Sequence, residues 1–205
     1  MKLLLATSAL VLVALGAAHA EIRPVSGFTG VSAADRIRVE VVLGDNYRVE
    51  VLGSDADKVA TRLDDETLVI RRRTRPLLGG APPIDANVRV TMPVLESLSA
   101  SRGAELTAVN VNTGHVSLAA AMGGELRITG TCTDLDATAS MGGAIRAERL
   151  ECSDANLAAS MGGDARVFVA NRYDATASMG GSISVVGGGR SGDVSTSMGG
   201  SVEGR

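Results

Sequence analysis

Five Met-Gly-Gly tripeptides divide the second half of this chain, and their spacing constrains the fold more than any other feature. The tripeptides start 19, 20, 18 and 19 residues apart, at Met122, Met141, Met161, Met179 and Met198. Self-similarity at a period near 20 residues is typical of a solenoid, whose single repeats are too small to bury an apolar face alone. The spacing therefore predicts about five stacked coils.

Apolar and polar residues alternate on both sides of each tripeptide. Apolar residues stand four and two positions before the methionine and four after it, as Leu118, Ala120 and Leu126 do in the first repeat. A period of two indicates β-strands, and paired glycines disfavour helix. The pattern predicts two short strands joined at Met-Gly-Gly and stacked in parallel about 4.8 Å apart. The predicted fold class is all-β, a parallel β-helix or β-roll solenoid with coils of about 19 residues.

The same alternation assigns the five methionines to the apolar side of the strands. We therefore expect a structural turn row in which Gly-Gly makes the turn and each methionine faces the core or covers its edge. The alternative is a row of thioether ligands for Cu(I), a soft ion that suits methionine. No His or Cys joins the row, and the sequence favours packing, so no metal site is predicted.

The first 100 residues lack the Met-Gly-Gly repeat and follow other sequence patterns. Residues 1–20 combine a basic start, an apolar stretch and a small-x-small end, which is the pattern of a cleaved secretory signal peptide. Residues 21–100 contain half-buried strand patterns such as "RIRVEVVLG" and "NVRVTMP", and a Pro-rich loop, "PLLGGAPPI". We expect this strand-rich part to be continuous with the β-helix repeats of residues 101–205.

Charge and hydropathy narrow the range of partners and compartments. Removal of Lys2 with the signal peptide leaves 19 basic residues against 23 acidic ones, a net charge of −4. A nucleic-acid-binding protein would carry a basic surplus, so nucleic acid is not an expected partner. No further apolar stretch has spanning length. The chain is expected to be exported without spanning a membrane, and to reside in the periplasm, on the cell surface or in the medium.

The positions of the two cysteines provide a check on the predicted stacking of the coils. Cys132 stands nine residues before Met141, and Cys152 stands nine residues before Met161. Equivalent Cα atoms on neighbouring coils lie about 4.8 Å apart, inside the usual range for a disulfide. In an oxidising compartment this predicts a Cys132–Cys152 disulfide. The alternative is two free thiols that face a small core.

The N-terminal run "FTGVSAADRIRVEVVLGDNYRVEVLGSDADKVATRLDDETLVIRRR", followed by "VRVTMPVLESLSASRGAEL" and the Gly-rich repeats, resembles a bacterial family, putative auto-transporter adhesin, head GIN domain. The resemblance covers essentially the whole mature chain, and residues 88–106 are its most specific part. It implies a β-helix with Gly-Ser-Gly turns, in whose place Met-Gly-Gly stands here. It implies no enzymatic activity, and it supplies no catalytic or binding residues.

Three arginines occupy one column of the repeats, five residues after successive methionines: Arg127, Arg146 and Arg166. On neighbouring coils they would form an outward row. Guanidinium groups suit carboxylate and phosphate, so the row is a candidate face for an anionic glycan or lipopolysaccharide. The alternative is ion pairing with nearby acidic residues, which contributes little to stability.

A column of Asp and Asn residues lies five positions before the methionines, at Asp136, Asn156, Asp174 and Asp193. We interpret it as a hydrogen-bonded ladder along the stack, with calcium binding as the alternative. One acid per coil lacks the dense pattern of calcium-binding β-rolls. His115 stands alone, without a catalytic motif around it, so no catalytic residue is predicted.

These features predict an exported, non-catalytic, adhesin-like or envelope-associated protein that needs no cofactor and presents repeated sheet faces to a glycan or protein. A carbohydrate-active β-helix enzyme is the first alternative, because such enzymes share the scaffold. The second is a structural envelope protein that forms homo-oligomers through the open end of the β-helix. At that end, the charges of Glu203 and Arg205 are of the kind that discourage a further strand from pairing with an edge strand.

Overall fold

The computed structural model describes residues 20–74 and 84–205. Within these ranges the chain forms β-strands and one short 3-10 helix, Ala56–Lys58, without any α-helix. The all-β prediction is therefore confirmed. No helix in the described part is long and apolar enough to cross a membrane. The predicted signal peptide, apart from its last residue, and most of the predicted Pro-rich loop lie outside the described residues.

Eight strands precede the Met-Gly-Gly repeats. They are β1 (Ala20–Arg23), β2 (Gly30–Ala33), β3 (Arg38–Leu43), β4 (Arg48–Leu52), β5 (Val59–Asp64), β6 (Thr67–Arg72), β7 (Asn87–Met92) and β8 (Ser97–Ser101). Their sequences alternate as predicted: in β3, Val39 and Val41 are buried while Arg38 and Glu40 are exposed. Branched aliphatic residues at every second position suit a pleated strand with one buried face.

Seven further strands form the repeat region. They are β9 (Glu105–Ala121), β10 (Glu125–Ser140), β11 (Ala144–Ser160), β12 (Asp164–Ala177), β13 (Ser182–Val186), β14 (Arg190–Thr196) and β15 (Ser201–Gly204). Strands β10 to β12 run almost from one Met-Gly-Gly to the next, and β9 runs from the Arg102-Gly103 corner to the first of them. The prediction of two short strands per coil is thus modified, because hydrogen bonding continues around the corner opposite Met-Gly-Gly.

That opposite corner is made by register shifts in place of a turn. The pairing of β10 with β9 shifts between Ile128 and Gly130, and the pairing of β11 with β12 shifts between Ala147 and Glu151. Gly130 has φ 138°, a conformation that glycine adopts at low cost. An extra residue bends a strand without ending it.

Each coil therefore has two sheet faces. We call the halves that follow Met-Gly-Gly the post-turn face and the halves that precede it the pre-turn face. The first half of β9 pairs in parallel with β3, and its second half pairs in parallel with β8. The predicted register holds between coils, since Leu126 lies opposite Leu106 and Ile145. The parallel solenoid with its strand-rich N-terminal part continuous with it is confirmed.

The N-terminal end of the solenoid is covered by antiparallel strands. On the post-turn face, β7 extends the sheet beyond β3, and β4 and then β1 pair antiparallel beyond it. On the pre-turn face, β2 and β6 pair in parallel and β5 pairs antiparallel with β6. Between the faces lies one continuous core of Ala, Val, Leu and Ile, with Phe28 packed against Tyr47 at a ring-centroid distance of 4.9 Å.

Candidate functional site

Each Met-Gly-Gly forms a tight turn with a left-handed backbone at both central residues. In the middle repeat φ is 48° at Met161 and 73° at Gly162, and the Gly163 N–H donates to the Ser160 carbonyl oxygen at 2.9 Å. Positive φ at both central positions characterises a type I′ turn. The other repeats match, with φ of 47° to 50° at the methionine and 72° to 78° at the first glycine.

The two glycines are required for different reasons. The first glycine adopts positive φ without a steric penalty. At the second, Gly163, an added Cβ would lie closer than 3.0 Å to the carbonyl oxygen of Ala139 on the preceding coil. The same conflict with the preceding coil exists at the other second glycines, which are Gly124, Gly143, Gly181 and Gly200. Stacking of the coils therefore excludes a side chain there.

The methionine side chains face solvent, so the predicted inward orientation is wrong. Four of them are 46% to 48% exposed and the fifth, Met198, is 78% exposed. The alternation of the strand ends at the residue before the methionine, because a left-handed residue turns its side chain out of the pleat. We call this row the methionine ridge; it consists of Met122, Met141, Met161, Met179 and Met198.

Backbone hydrogen bonds between turns hold the methionine ridge in register. The Gly142 N–H donates to the carbonyl oxygen of Met161 at 3.2 Å, and the Gly162 N–H donates to that of Met179 at 3.1 Å. The remaining neighbouring turns are joined in the same way at 3.2 to 3.3 Å. Neighbouring methionine Cα atoms are consequently about one strand spacing apart, roughly 4.8 Å.

Two earlier corners of the solenoid make the same turn without methionine. φ is 64° and 61° at Asp35 and Arg36, and 51° and 74° at Arg102 and Gly103. The Arg102 guanidinium pairs with the Asp35 carboxylate at 2.7 Å, Nε to Oδ1, which joins the two turns. The turn therefore accepts an acidic or a basic residue where the later repeats have methionine.

The arginine column lies on the post-turn face, as its spacing predicts. Arg146 stands opposite both Arg127 and Arg166 in the parallel register. Each guanidinium has a carboxylate beside it: Arg127 pairs with Glu125 at 2.6 Å, and Arg146 pairs with Asp164 at 2.7 Å. Arg166 lies 3.6 Å from the same Asp164 carboxylate. Ion pairing thus orients the arginines while leaving the outer ones half exposed.

Beside this column the surface forms an open groove with a basic residue that sequence reasoning missed. The groove is lined by Arg127, Arg146 and Arg149, together with Ile128, Thr129 and Glu148; we call it the arginine groove. Arg149 is exposed and, within residues 20–74 and 84–205, has no carboxylate within ion-pair distance.

A bulge brings Arg149 to the groove. Strand β11 carries one extra residue there, since Arg127 pairs with Arg146 but Thr129 pairs with Arg149. The signal in the sequence is the spacing of 20 residues from Met141 to Met161, one more than in the previous repeat.

The column of Asp and Asn residues forms hydrogen bonds along the stack. The Asn156 Nδ2 donates to Asp136 Oδ1 at 3.0 Å, and the Asp193 backbone N–H donates to Asp174 Oδ1 at 2.6 Å. The latter bond, helped by Arg172, holds the pKa of the Asp174 carboxyl below its ordinary value. His115 lies beside this column, opposite Asp134 in the register, with Nε2 3.6 Å from Asp136 Oδ2.

Cys132 and Cys152 are joined by a disulfide between β10 and β11, at a Cα–Cα distance of 4.5 Å. Both lie in the same column of the parallel register, and both side chains are buried. Since no other cysteine is present, the chain has no free thiol. A disulfide of this kind is typical of proteins in oxidising compartments outside the cytosol.

Across residues 20–74 and 84–205, no three His, Cys, Asp or Glu side chains are grouped so as to hold a metal ion.

Comparison with known proteins agrees with this architecture. The family model described as "Putative auto-transporter adhesin, head GIN domain" matches residues 27–189. No curated protein matches the sequence.

Similar solved structures include a putative adhesin from Bacteroides fragilis NCTC 9343, with a TM-score of 0.66, 16% identity and coverage of 91% of this chain and 96% of that chain. A second is a putative lipid binding protein from Parabacteroides distasonis ATCC 8503, with a TM-score of 0.46, 16% identity and coverage of 93% and 98%. The first similarity shows a shared fold.

Proposed function

The chain belongs to the family described as putative auto-transporter adhesin, head GIN domain, and on that premise we propose that it is a non-catalytic, adhesin-like binding protein. Its compartment is the periplasm, the cell surface or the medium, reached by way of the N-terminal signal peptide. The disulfide and the family support an exported or envelope-associated location. The partner is an extended anionic glycan of the envelope or of the extracellular space.

The arginine groove is the observation that carries this proposal. Arg127, Arg146 and Arg149 surround one open groove, and two of the three already bind carboxylates of the chain itself. A guanidinium that donates to one carboxylate can bind another through its remaining N–H groups, because it has five donors in a planar fork.

The repeated geometry suits a polymeric partner. The column continues through Arg166 on the next coil, in register with Arg146. A polysaccharide lying along the solenoid would meet one guanidinium per coil, and several weak contacts on one chain act together through their high effective concentration. Affinity is therefore expected to rise with polymer length and to fall with salt, which screens exposed charges.

Binding of the purified mature protein to immobilised polygalacturonate, with a neutral polysaccharide as the reference surface, tests the proposal. The variant with Arg127→Ala, Arg146→Ala and Arg149→Ala is expected to lose about tenfold or more in affinity, which corresponds to about 1.4 kcal/mol. A matched control removes three arginines elsewhere on the post-turn face, each of which pairs with a glutamate: Arg38, Arg48 and Arg89.

The two variants lose the same formal charge, so their comparison separates the groove from net charge. Equal losses in both would mean general electrostatic attraction and would reject the groove. Release of shortened sugar chains during the same incubation would favour the alternative of a carbohydrate-active β-helix enzyme. Saturable binding without turnover, lost only in the groove variant, is the expected result.

A further inference from the structure

We propose that the methionine ridge is a binding site for a soft monovalent metal ion, Cu(I), coordinated by thioether sulfurs of neighbouring coils. The starting point is a residue choice that the fold does not explain. Met141, Met161 and Met179 occupy left-handed positions with φ of 47° to 48°, where Asn, Asp and Gly are the favoured residues. Each side chain is about half exposed, so core packing does not account for it.

The equivalent corners earlier in the chain reinforce this point. Asp35 and Arg102 occupy the same position of the same turn, and they pair with each other across the coils. Both accept the left-handed conformation, so the turn itself does not select methionine. Where the repeats begin, five successive corners carry the same soft, unbranched side chain on the solvent side.

The geometry brings several thioethers within reach of one ion. Hydrogen bonds between turns hold successive methionines in register, at a Cα spacing of about 4.8 Å. Methionine has three rotatable bonds beyond Cα, so neighbouring sulfurs can converge on one position without movement of the backbone. With two or three sulfurs per ion, the five side chains would hold about one or two ions.

The chemistry of the compartment favours thioether ligands for such an ion. Thiolates bind Cu(I) tightly, but both cysteines of this chain are committed to a disulfide. A thioether forms no disulfide and carries no proton that metal binding must displace, whereas cysteine and histidine must be deprotonated first. The affinity of the ridge is therefore expected to be nearly independent of pH between about 5.5 and 8.

The test is an anaerobic titration of the mature protein with Cu(I), in competition with a chromophoric Cu(I) chelator. The test variant carries Met141→Leu, Met161→Leu and Met179→Leu, which keeps apolar side chains of similar size and removes only the sulfurs. We expect its affinity for Cu(I) to fall about tenfold or more. Met92→Leu, the same replacement at a fully buried methionine, is the matched control and is expected to leave the affinity unchanged.

A second readout locates the ion. Addition of Cu(I) is expected to shift the methyl carbon signals of the ridge methionines in NMR spectra and to leave that of Met92 in place. Absence of Cu(I) binding by the unmodified protein, or equal affinity in the leucine variant, would overturn the proposal. So would an affinity that falls as the pH drops through the histidine range and is lost in His115→Ala, because the ligand would then be the imidazole.

Discussion

At each Met-Gly-Gly corner the methionine and the two glycines differ in backbone conformation and in the space around them. The left-handed conformation costs a residue with a side chain about 1–2 kcal/mol, and Met161 has φ 48°. Its glycine neighbour, Gly162, bears no such cost. Gly163 has no positive φ in the described backbone, yet it is the position where a Cβ would strike the preceding coil.

This division of roles predicts opposite sensitivities within one tripeptide. Met161→Ala is expected to change the free energy of unfolding by less than about 0.5–1 kcal/mol, because its side chain is largely exposed. Gly163→Ala is expected to destabilise by about 2–4 kcal/mol, since the added methyl group meets a backbone carbonyl that cannot move without shifting a coil. Urea unfolding of both variants measures the difference. A larger loss for Met161→Ala than for Gly163→Ala would contradict the structure.

The sequence predicted the turn but not the direction of its first side chain. Alternation placed Ala159 and Ala165 correctly in the core, because their strands follow the period of two. The same count assigned Met161 to the core and was wrong there. The sign of φ at the first central residue decides the outcome, and methionine carries no turn preference from which that sign could be read.

Among the strands, the attachment of β14 to β12 depends on an acidic residue. The Asp174 carboxylate accepts the Asp193 backbone N–H at 2.6 Å and a guanidinium N–H of Arg172 at 3.2 Å. The interval from Tyr173 to Ala175 is also where the pairing of these strands shifts register. The side chain thus takes over the hydrogen bond of a backbone donor that the regular ladder leaves out.

This attachment is expected to weaken in acid. The pKa of Asp174 in the folded protein lies below the ordinary value of 3.8, chiefly because of the Asp193 N–H. A depressed pKa contributes stability above the unfolded value, and that contribution is lost as the pH falls through the folded value. Asp174→Asn should therefore lower the urea midpoint at about pH 7, and the difference from the unmodified protein should shrink at about pH 3.

The chain itself provides the reason to expect that this variant folds. Asn156 occupies the equivalent position one coil earlier, where its amide fits the same column. A difference in urea midpoint that stays the same at both pH values would show that the carboxylate charge does not hold β14.

For the strands of the repeat region, the sequence predicted their positions and their parallel stacking, but not their lengths. The columns containing Leu126, Ile145 and Ala165 lie in register as expected. The corner opposite Met-Gly-Gly has no shared motif, however: Gly130 serves one coil and an extra residue near Arg149 serves the next. A corner built differently in each coil leaves no periodic signal, which is why Arg149 and the arginine groove were missed.

Over the whole molecule, the two ends of the solenoid differ in how their edge strands are paired and charged. The N-terminal edge strands β1 and β5 run antiparallel to their neighbours and carry ion pairs along their own length, Arg23 with Glu21 and Arg62 with Asp64. Sequence alternation predicted neither of these two strands, and it could not show their reversal, since direction is set by pairing with distant residues. Antiparallel, charged edge strands discourage further pairing.

In the last described coil, the core and the edge strands are less completely covered. The core columns that are buried in earlier coils reach the surface there: Val194, opposite buried Ala175, is 45% exposed. Strands β14 and β15 are each paired on one side only within the described residues. Unpaired backbone groups beside exposed apolar side chains can bind a further strand. The homo-oligomer considered among the alternatives would use this edge, with a second copy of the chain in a two-fold symmetric pair through β14 and β15.

Self-association through this edge is expected to be measurable by size-exclusion chromatography with light scattering. The mean mass of the mature protein should rise with concentration toward that of a dimer, and Val194→Lys should abolish the rise, because a charge at the end of the core cannot be buried without a partner. Val94→Lys is the matched control: Val94 is 47% exposed between β7 and β8, away from this edge, and its replacement should leave the mass unchanged. A constant monomer mass at every concentration would contradict pairing through this edge.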